Sequence, residues 1–473
     1  MNQKKDLIKN TIIISIGKFS TKLVSFLLLP LYTSILSKSE YGNFDLLNTI
    51  SIFLIPIITL QMDEAMFRFL IDAKDENDKR KVFSKTVIFA ILSSLAWALI
   101  ILLVGTIIGY KYTYWLIFYC ISSVIYTIAS AFSRGEGNFK LYSFLAFCSS
   151  ILNILLNILF VAILRIGLNG LFLAYIISST LVGLYGLYRL KAYRYITFKY
   201  KYKGVMREMI KYSLPLVPNS VSWSLISLSN RLIITSQLGI GFNGIYSVSN
   251  KFPTIINTCY GFFNTSWRES ASKAVKTESR DSFYKSVYLN LKRFLLGVSI
   301  MMIALLPFIF NLLVNKNYNE AYNYIPFMII SIYFTNMASF SSGIFAAYKD
   351  TKILAPTTIV GTIISITFNI LLINKIGLFA PVFGTMLAYL ILYVYRNYKL
   401  RKYIVLPKDE YLVSHILTVV VLVWLYFQNG ILWHLLGLVI GIGYTFYINK
   451  GFIKEIFNKK NYGFLNRFKK KRD

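Results

Sequence analysis

Residues 82–108 read VFSKTVIFAILSSLAWALIILLVGTII, with a single charge, Lys85, near the start. At about 1.5 Å rise per residue, such a run crosses a hydrocarbon core of about 30 Å as one helix. The rest of the chain repeats the pattern. Apolar stretches of comparable length fall at 11–36, 43–66, 82–108, 112–133, 141–164, 168–189, 212–238, 243–267, 286–314, 321–347, 353–374, 378–398, 411–427 and 430–449. The 473 residues are 56% hydrophobic and 15% charged, too apolar a balance for a soluble core of ordinary size, so lipid must be part of the solvent. Every proline except Pro407 lies within or beside an apolar run, which membrane helices tolerate because neighbours satisfy the freed carbonyls. The expected fold class is an all-α integral membrane protein of about 14 transmembrane helices.

A formal charge of +31 raises nucleic acid as a partner. That reading needs a solvent-facing basic patch and a motif to present it, and neither is present. The cations instead punctuate the apolar runs and report topology. With the N-terminus inside, the loops and helix ends on that side collect the great majority of the 51 Lys and Arg residues. The opposite side holds Lys38, Lys111, Arg165, Lys316 and Lys375, and Lys18, Lys22, Arg231 and Lys251 remain within the spans. An even number of spans with both termini cytoplasmic follows. Lys4, Lys5 and Lys9 ahead of the first apolar run imitate a signal peptide, but Lys18 interrupts it and no A-x-A site follows, so an uncleaved first span is expected. Outer loops are short, which leaves no room for the catalytic loops of a membrane polymerase or ligase.

Leu31–Asn48 aligns with residues 233–250 at a constant offset of 202: Thr33 meets Thr235, Ser34 Ser236, Leu36 Leu238, Gly42 Gly244 and Asn48 Asn250. A second echo pairs Asn153-Ile-Leu-Leu and Ile166-Gly-Leu with Asn369-Ile-Leu-Leu and Ile376-Gly-Leu. Six spans per repeat is an even number, so the copies share an orientation and are related by a pseudo-twofold axis along the membrane normal. This divides the chain into a six-helix lobe at 1–211, a second at 212–407, and two further helices with a basic tail at 408–473. Parallel lobes of this kind leave a central cleft.

Polar residues recur at helical spacing where the repeat places that cleft. The first span carries Thr11, Ser15, Lys18, Lys22 and Ser25 on one face; the seventh carries Ser220, Ser224, Ser227, Arg231 and Thr235; the eighth carries Ser247, Asn250, Thr254, Asn257, Gly261, Thr265 and Arg268, with Lys251 beside the stripe. The bland alternative is snorkelling to the interface. Lys18, roughly 10 Å inside its helix, is within reach of that, and Lys22, nearer 17 Å, is not; Arg268 also reads as a marker of a helix end. Intramembrane cations are costly and persist where they line a pathway or are paired. Of the acids, Asp63, Glu64 and Glu269 sit near cytoplasmic ends. Asp45 could face Lys251 and is the one candidate for cation coupling.

Other signals lead nowhere. Gly239-Ile-Gly-Phe-Asn-Gly244 matches a dinucleotide pattern, but no strand precedes it, and it reads as a tight turn. There is no Walker A sequence. Cys120, Cys148 and Cys259 show no metal spacing, and His415 and His434, on separate spans, read as packing residues. No cofactor, metal or catalytic residue is expected.

The stretch Asn230-Arg-Leu-Ile-Ile-Thr-Ser-Gln-Leu-Gly-Ile-Gly-Phe-Asn-Gly-Ile-Tyr-Ser-Val-Ser-Asn-Lys251 resembles the polysaccharide flippases of the multidrug, oligosaccharidyl-lipid and polysaccharide exporter superfamily. Members commonly show an Asp-Arg pair, Leu-Gly, Gly-x-Tyr-Ser and a Lys, matched here by Arg231, Leu238 and Gly239, Gly244 to Ser247, and Lys251. Pro30-Leu-Tyr and Glu40-Tyr-Gly42 are similar too. Asn230 departs from the pattern, and Arg231 thereby lacks an acid beside it in sequence. The resemblance implies a flippase in the bacterial cytoplasmic membrane, moving undecaprenyl-pyrophosphate-linked oligosaccharide to the outer leaflet. Membrane lipids and the pathway's polymerase and glycosyltransferases would be its partners. Lys18, Lys22, Arg231, Lys251 and Arg268 would hold the pyrophosphate, with Ser15, Ser25, Ser224, Ser227, Asn250, Thr254 and Asn257 lining the cavity. The competing reading is a multidrug or metabolite exporter of the same superfamily; one for cationic drugs should line its cleft with acids instead of bases.

Overall fold

A computed structural model of the chain describes residues 26, 28–196, 203–275, 277–348, 350–407 and 411–469. The described residues are nearly all helical and include no strand. In chain order the helices are α1 (Leu29–Ile35), α2 (Lys38–Thr59), α3 (Met62–Asp72), α4 (Glu76–Ile108), α5 (Thr113–Gly135), α6 (Phe139–Asn157, extended by a π turn to Ile163), α7 (Leu168–Arg189), α8 (Lys203–Ser213), α9 (Leu216–Gln237), α10 (Ile240–Ala274), α11 (Arg280–Leu313), α12 (Ile325–Ala347), α13 (Leu354–Ile376), α14 (Phe379–Leu400), α15 (Leu412–Tyr426) and α16 (Ile431–Lys469).

Ten described helical segments are long and apolar enough to cross a membrane, and the shorter apolar α15 adds another. The seventh and eighth expected spans exist as α9 and α10, but their serines, asparagines and charges keep them below that level of hydropathy. Of the first span, residues 11–25 and 27 lie outside the described residues, and its C-terminal end is α1. Exposed Leu92, Leu95, Leu99, Leu103 and Ile107 recur every three to four residues along α4. Such a face can be stable only against lipid. The chain is a multi-pass membrane protein.

Its internal contacts form two compact units, residues 1–248 with 365–381, and residues 249–364 with 382–473. In the first unit α7 lies close to α5 along Gly183, where a methyl group would strike Ile125, and to α6 along Gly186, where it would strike Leu145; Tyr119 of α5 and Tyr175 of α7 stack with centroids 3.8 Å apart. In the second, Trp267 stacks on Phe340 at 4.4 Å and donates its Nε1 hydrogen to the Phe340 carbonyl, in space left by Gly343. The expected span 43–66 is not one helix. It ends at Thr59 and restarts at Met62 across Leu60 and Gln61, both left-handed (φ 45° and 55°), a conformation costly without glycine. Gln61 Nε2 donates to Ser220 Oγ at 3.1 Å, which ties this break to α9.

The motif Ser37-Lys-Ser-Glu40 is a capping box: Ser37 Oγ accepts from the Glu40 amide, and the Glu40 carboxylate accepts from the Ser37 amide at 2.9 Å. It starts α2 so that Gly42 meets the start of α10. A methyl group on Gly42 would fall on the Ile240 carbonyl oxygen; one on Gly244 would fall on the Lys38 carbonyl. Gly42 and Gly244, and Lys38 and Ile240, both correspond at the offset of 202, so positions related by that offset meet in a reciprocal backbone contact. Asn243 Nδ2 fastens it by donating to the Gly42 carbonyl at 2.9 Å. Gly244→Ala should therefore lower the thermal midpoint of the purified protein by several degrees. Gly361→Ala, whose added methyl meets only ordinary contacts at 3.7 Å or more, should leave it unchanged or raise it slightly.

Candidate functional site

Beside that crossing lies a buried ion pair. Arg231 on α9 donates from Nε to Asp45 Oδ2 on α2 at 2.6 Å, with Nη2 3.5 Å from Oδ1; their side chains are only 6% and 11% exposed. Arg231 Nη1 also donates to the Ser227 carbonyl at 3.0 Å and to its Oγ at 2.8 Å, one helical turn back. The guanidinium carbon sits 5.6 Å from the centroid of the Tyr246 ring. Asn230 Nδ2 donates to the Tyr246 hydroxyl at 3.3 Å, and Asn369 Nδ2 donates to Asn230 Oδ1, also at 3.3 Å. One network thus joins α2, α9, α10 and α13. Arg231, lacking an acid at position 230, takes its counter-charge from Asp45, 186 residues earlier.

This geometry accounts for the motif around it. Gly239, at φ 101°, supplies the left-handed turn between α9 and α10 that other residues adopt at a cost. Gly244 permits the helix crossing, and Tyr246 covers Arg231 while ordering Asn230. The dinucleotide-like Gly-Ile-Gly-Phe-Asn-Gly is the turn and first residues of α10.

Among the other expected residues, Asp45, Ser227 and Arg231 are brought together. Asp45 is bound to Arg231, whose guanidinium reaches both of its carboxylate oxygens. Ser224 is half-buried and donates back to the Val221 carbonyl at 3.0 Å. On α10, Lys251, Asn250 and Thr254 are half-buried, and Asn257 and Arg268 are exposed. Thr254 Oγ1 donates to the Asn250 carbonyl at 2.7 Å. Ser15, Lys18, Lys22 and Ser25 lie outside the described residues.

Arg396, two residues before the end of the expected span 378–398, is fully buried. It donates to Ser342 Oγ at 2.7 Å, Thr357 Oγ1 at 3.1 Å, Thr358 Oγ1 at 3.0 Å and the Leu354 carbonyl at 3.1 Å. The adjacent Thr357-Thr358 and Ser341-Ser342 pairs, two hydroxyls each in apolar helices, were the available signal. With its donors spread over neutral oxygens of α12 and α13, Arg396 is a tie between helices.

The match to known proteins follows the same parts of the chain. The sequence profile described as "Polysaccharide biosynthesis protein" matches residues 7–268, which include the crossing, the ion pair and the polar stripes. The chain belongs to this family. The profile "MatE" matches residues 276–371. No curated protein matches in sequence. Solved structures with a similar fold include the lipid II flippase MurJ in an inward closed conformation, at TM-score 0.70 and 16% identity over 94% of this chain and 100% of that one. An inward-facing multidrug resistance MATE family transporter of the MOP superfamily gives 0.63 and 15%, over 82% and 98%. A Vibrio cholerae MATE transporter gives 0.58 and 14%, over 85% and 99%. The fold is that of MOP-superfamily membrane transporters.

Removing one partner from a buried pair strands the other charge, at a cost of about 3–5 kcal/mol. Asp45→Asn should lower stability by about that amount in detergent unfolding. The double variant Asp45→Asn with Arg231→Gln should recover part of the loss, since it removes both charges; no recovery would deny the coupling.

Proposed function

We propose that the chain is a flippase that carries undecaprenyl-pyrophosphate-linked oligosaccharide repeat units from the inner to the outer leaflet of a bacterial cytoplasmic membrane, for assembly of a surface polysaccharide such as a capsule, exopolysaccharide, O-antigen or sugar-containing teichoic acid. The observation that carries this reading is the set of cations on polar stripes, Lys18 and Lys22, Arg231, Lys251 and Arg268, in a member of the polysaccharide biosynthesis family. A pyrophosphate leaving water needs several charge-assisted donors in a site of low dielectric. Hydroxyl and amide stripes at Ser15, Ser25, Ser224, Ser227, Asn250, Thr254 and Asn257 suit sugars, and the lipid tail stays in the bilayer. With both termini cytoplasmic, outward movement of an anion is favoured by about 2.3 kcal/mol per charge per 100 mV of an inside-negative potential.

On this reading the repeats, 1–211 and 212–407, alternate in access, and residues 408–473 are an addition to them. In the conformation described, Arg231 is committed to Asp45. Substrate therefore enters by exchange: pyrophosphate replaces the carboxylate, and the freed Asp45 becomes available to a proton or metal cation. The chain itself does no covalent chemistry in this cycle.

Lys22→Ala and Arg231→Ala should each abolish surface polysaccharide while lipid-linked repeat units accumulate in the inner leaflet, at protein levels matched by immunoblot. Normal polysaccharide from both would remove the cationic site. The match to the MatE profile favours a second reading, export of drugs or metabolites; a deletion strain with intact polysaccharide and new drug sensitivity would select it.

A further inference from the structure

The second compact unit holds a crevice of about 330 Å³ away from the residues discussed so far, lined by Pro307, Phe310 and Asn311 of α11, Asn319, Tyr322 and Asn323 of the following 3-10 segment (Lys316–Tyr324), and Tyr426 to Asn429 and His434 where α15 turns into α16. Its size is at the lower end of small-ligand pockets, roughly 300–1,000 Å³. One wall is rigid. The Tyr322 and Tyr426 rings stack at 4.1 Å, and each hydroxyl donates to the other residue's carbonyl, at 3.1 and 2.8 Å. Phe310 meets Tyr322 edge-on at 5.2 Å.

The rest of the lining is amide. Five carboxamides, at Asn311, Asn319, Asn323, Gln428 and Asn429, share the space with His434, whose buried Nε2 has no hydrogen-bond partner. No aspartate, glutamate, lysine or arginine is among the lining residues. This is the opposite of the Arg231 site, and the chemistry it selects differs. A phosphate or carboxylate finds no cation here, and an ammonium finds no acid. Carboxamides each present a donor beside an acceptor, which matches vicinal hydroxyls, and a fixed aromatic wall matches the C–H face of a pyranose.

We propose that this crevice is a saccharide site that takes an uncharged sugar unit. Both contributing loops fall on the outer side in the orientation with cytoplasmic termini, where an exported glycan would emerge. The source of the sugar rests on the flippase reading above; the binding chemistry does not.

The test is saturation-transfer NMR on the full chain in nanodiscs, with neutral hexoses and N-acetylhexosamines as probes and glucuronic acid and glucosamine as charged comparators. At least one neutral probe should receive saturation, and the signal should fall about 10-fold or more in the variant Asn311→Leu with Asn323→Leu, which removes two carboxamides. Both side chains are exposed, so the variant should keep its elution profile; Asn319→Ala with Asn429→Ala, also exposed, is the second variant. Saturation of no neutral probe, equal signals from wild type and both variants, or stronger signals from the charged comparators would each overturn the assignment. Free sugars report binding without transport, so a failure here leaves the flippase reading intact. Saccharide binding that persists in a transport-dead Lys22→Ala protein would leave the crevice intact.

Discussion

The buried charge of Arg231 constrains everything near it. A guanidinium cannot be deprotonated in a protein, so burial obliges the fold to bring it an acceptor. The nearest sequence position, Asn230, offers none, and the acid comes from α2, 186 residues away. To hold a 2.6 Å contact between side chains on α2 and α9, the backbones nearby must be fixed to fractions of an ångström. The Gly42–Gly244 crossing does this, because helices in contact at their backbones have little room to slide. Asn243, Tyr246, Asn230 and Asn369 then hold the surrounding side chains in place. The ion pair adds little net stability over an apolar packing, but it is expensive to break singly. It therefore specifies a register more than it strengthens the fold.

Arg396 shows the other way to bury the same group. Its donors end on hydroxyls and carbonyls of α12 and α13, with no carboxylate among its hydrogen-bond partners. Every contact is short-ranged and neutral, and an incoming anion would have to unmake all of them. Arg231 spends two of its contacts on a carboxylate, a group that an external anion can imitate. Two arginines of similar burial thus have different capacities. One is a tie within a unit; the other has the chemistry of an exchangeable site.

The architecture was legible because membrane physics writes it in long words. Runs of about twenty apolar residues are a local signal, and they give the all-helical membrane fold. The paired glycines Gly42 and Gly244 were visible too, though only the structure gives them their reciprocal contact. Partnership was not legible. Spacing says that Asp45 and Arg231 share faces with polar neighbours, yet nothing periodic selects Arg231 over Lys251 as the partner. Arg396 was hidden for a related reason: counting basic residues near helix ends treats each as solvated, and one lying against five hydroxyl and carbonyl oxygens counts the same. The break at Leu60–Gln61 left no trace either, since neither residue is a glycine or proline. The amide crevice leaves no signal in the sequence, because asparagines between two spans read as ordinary loop polarity.

A resting counter-ion has a consequence for any anion that uses Arg231. A bare guanidinium at this depth would be unstable by several kcal/mol, so an empty site without Asp45 would collapse or fill with adventitious ions. With Asp45 in place, the guanidinium is already paired and hydrogen-bonded. An incoming ligand must then match a carboxylate in charge and hydrogen-bonding geometry merely to break even, and it gains only through what Asp45 cannot offer, such as a second phosphate reaching another cation. Neutral sugars and singly charged lipids fail that comparison, since they replace one ion pair with one or none. Selectivity for a doubly charged headgroup would then arise from competition with the protein's own acid, and the glycan would be free to be read elsewhere by groups that carry no charge.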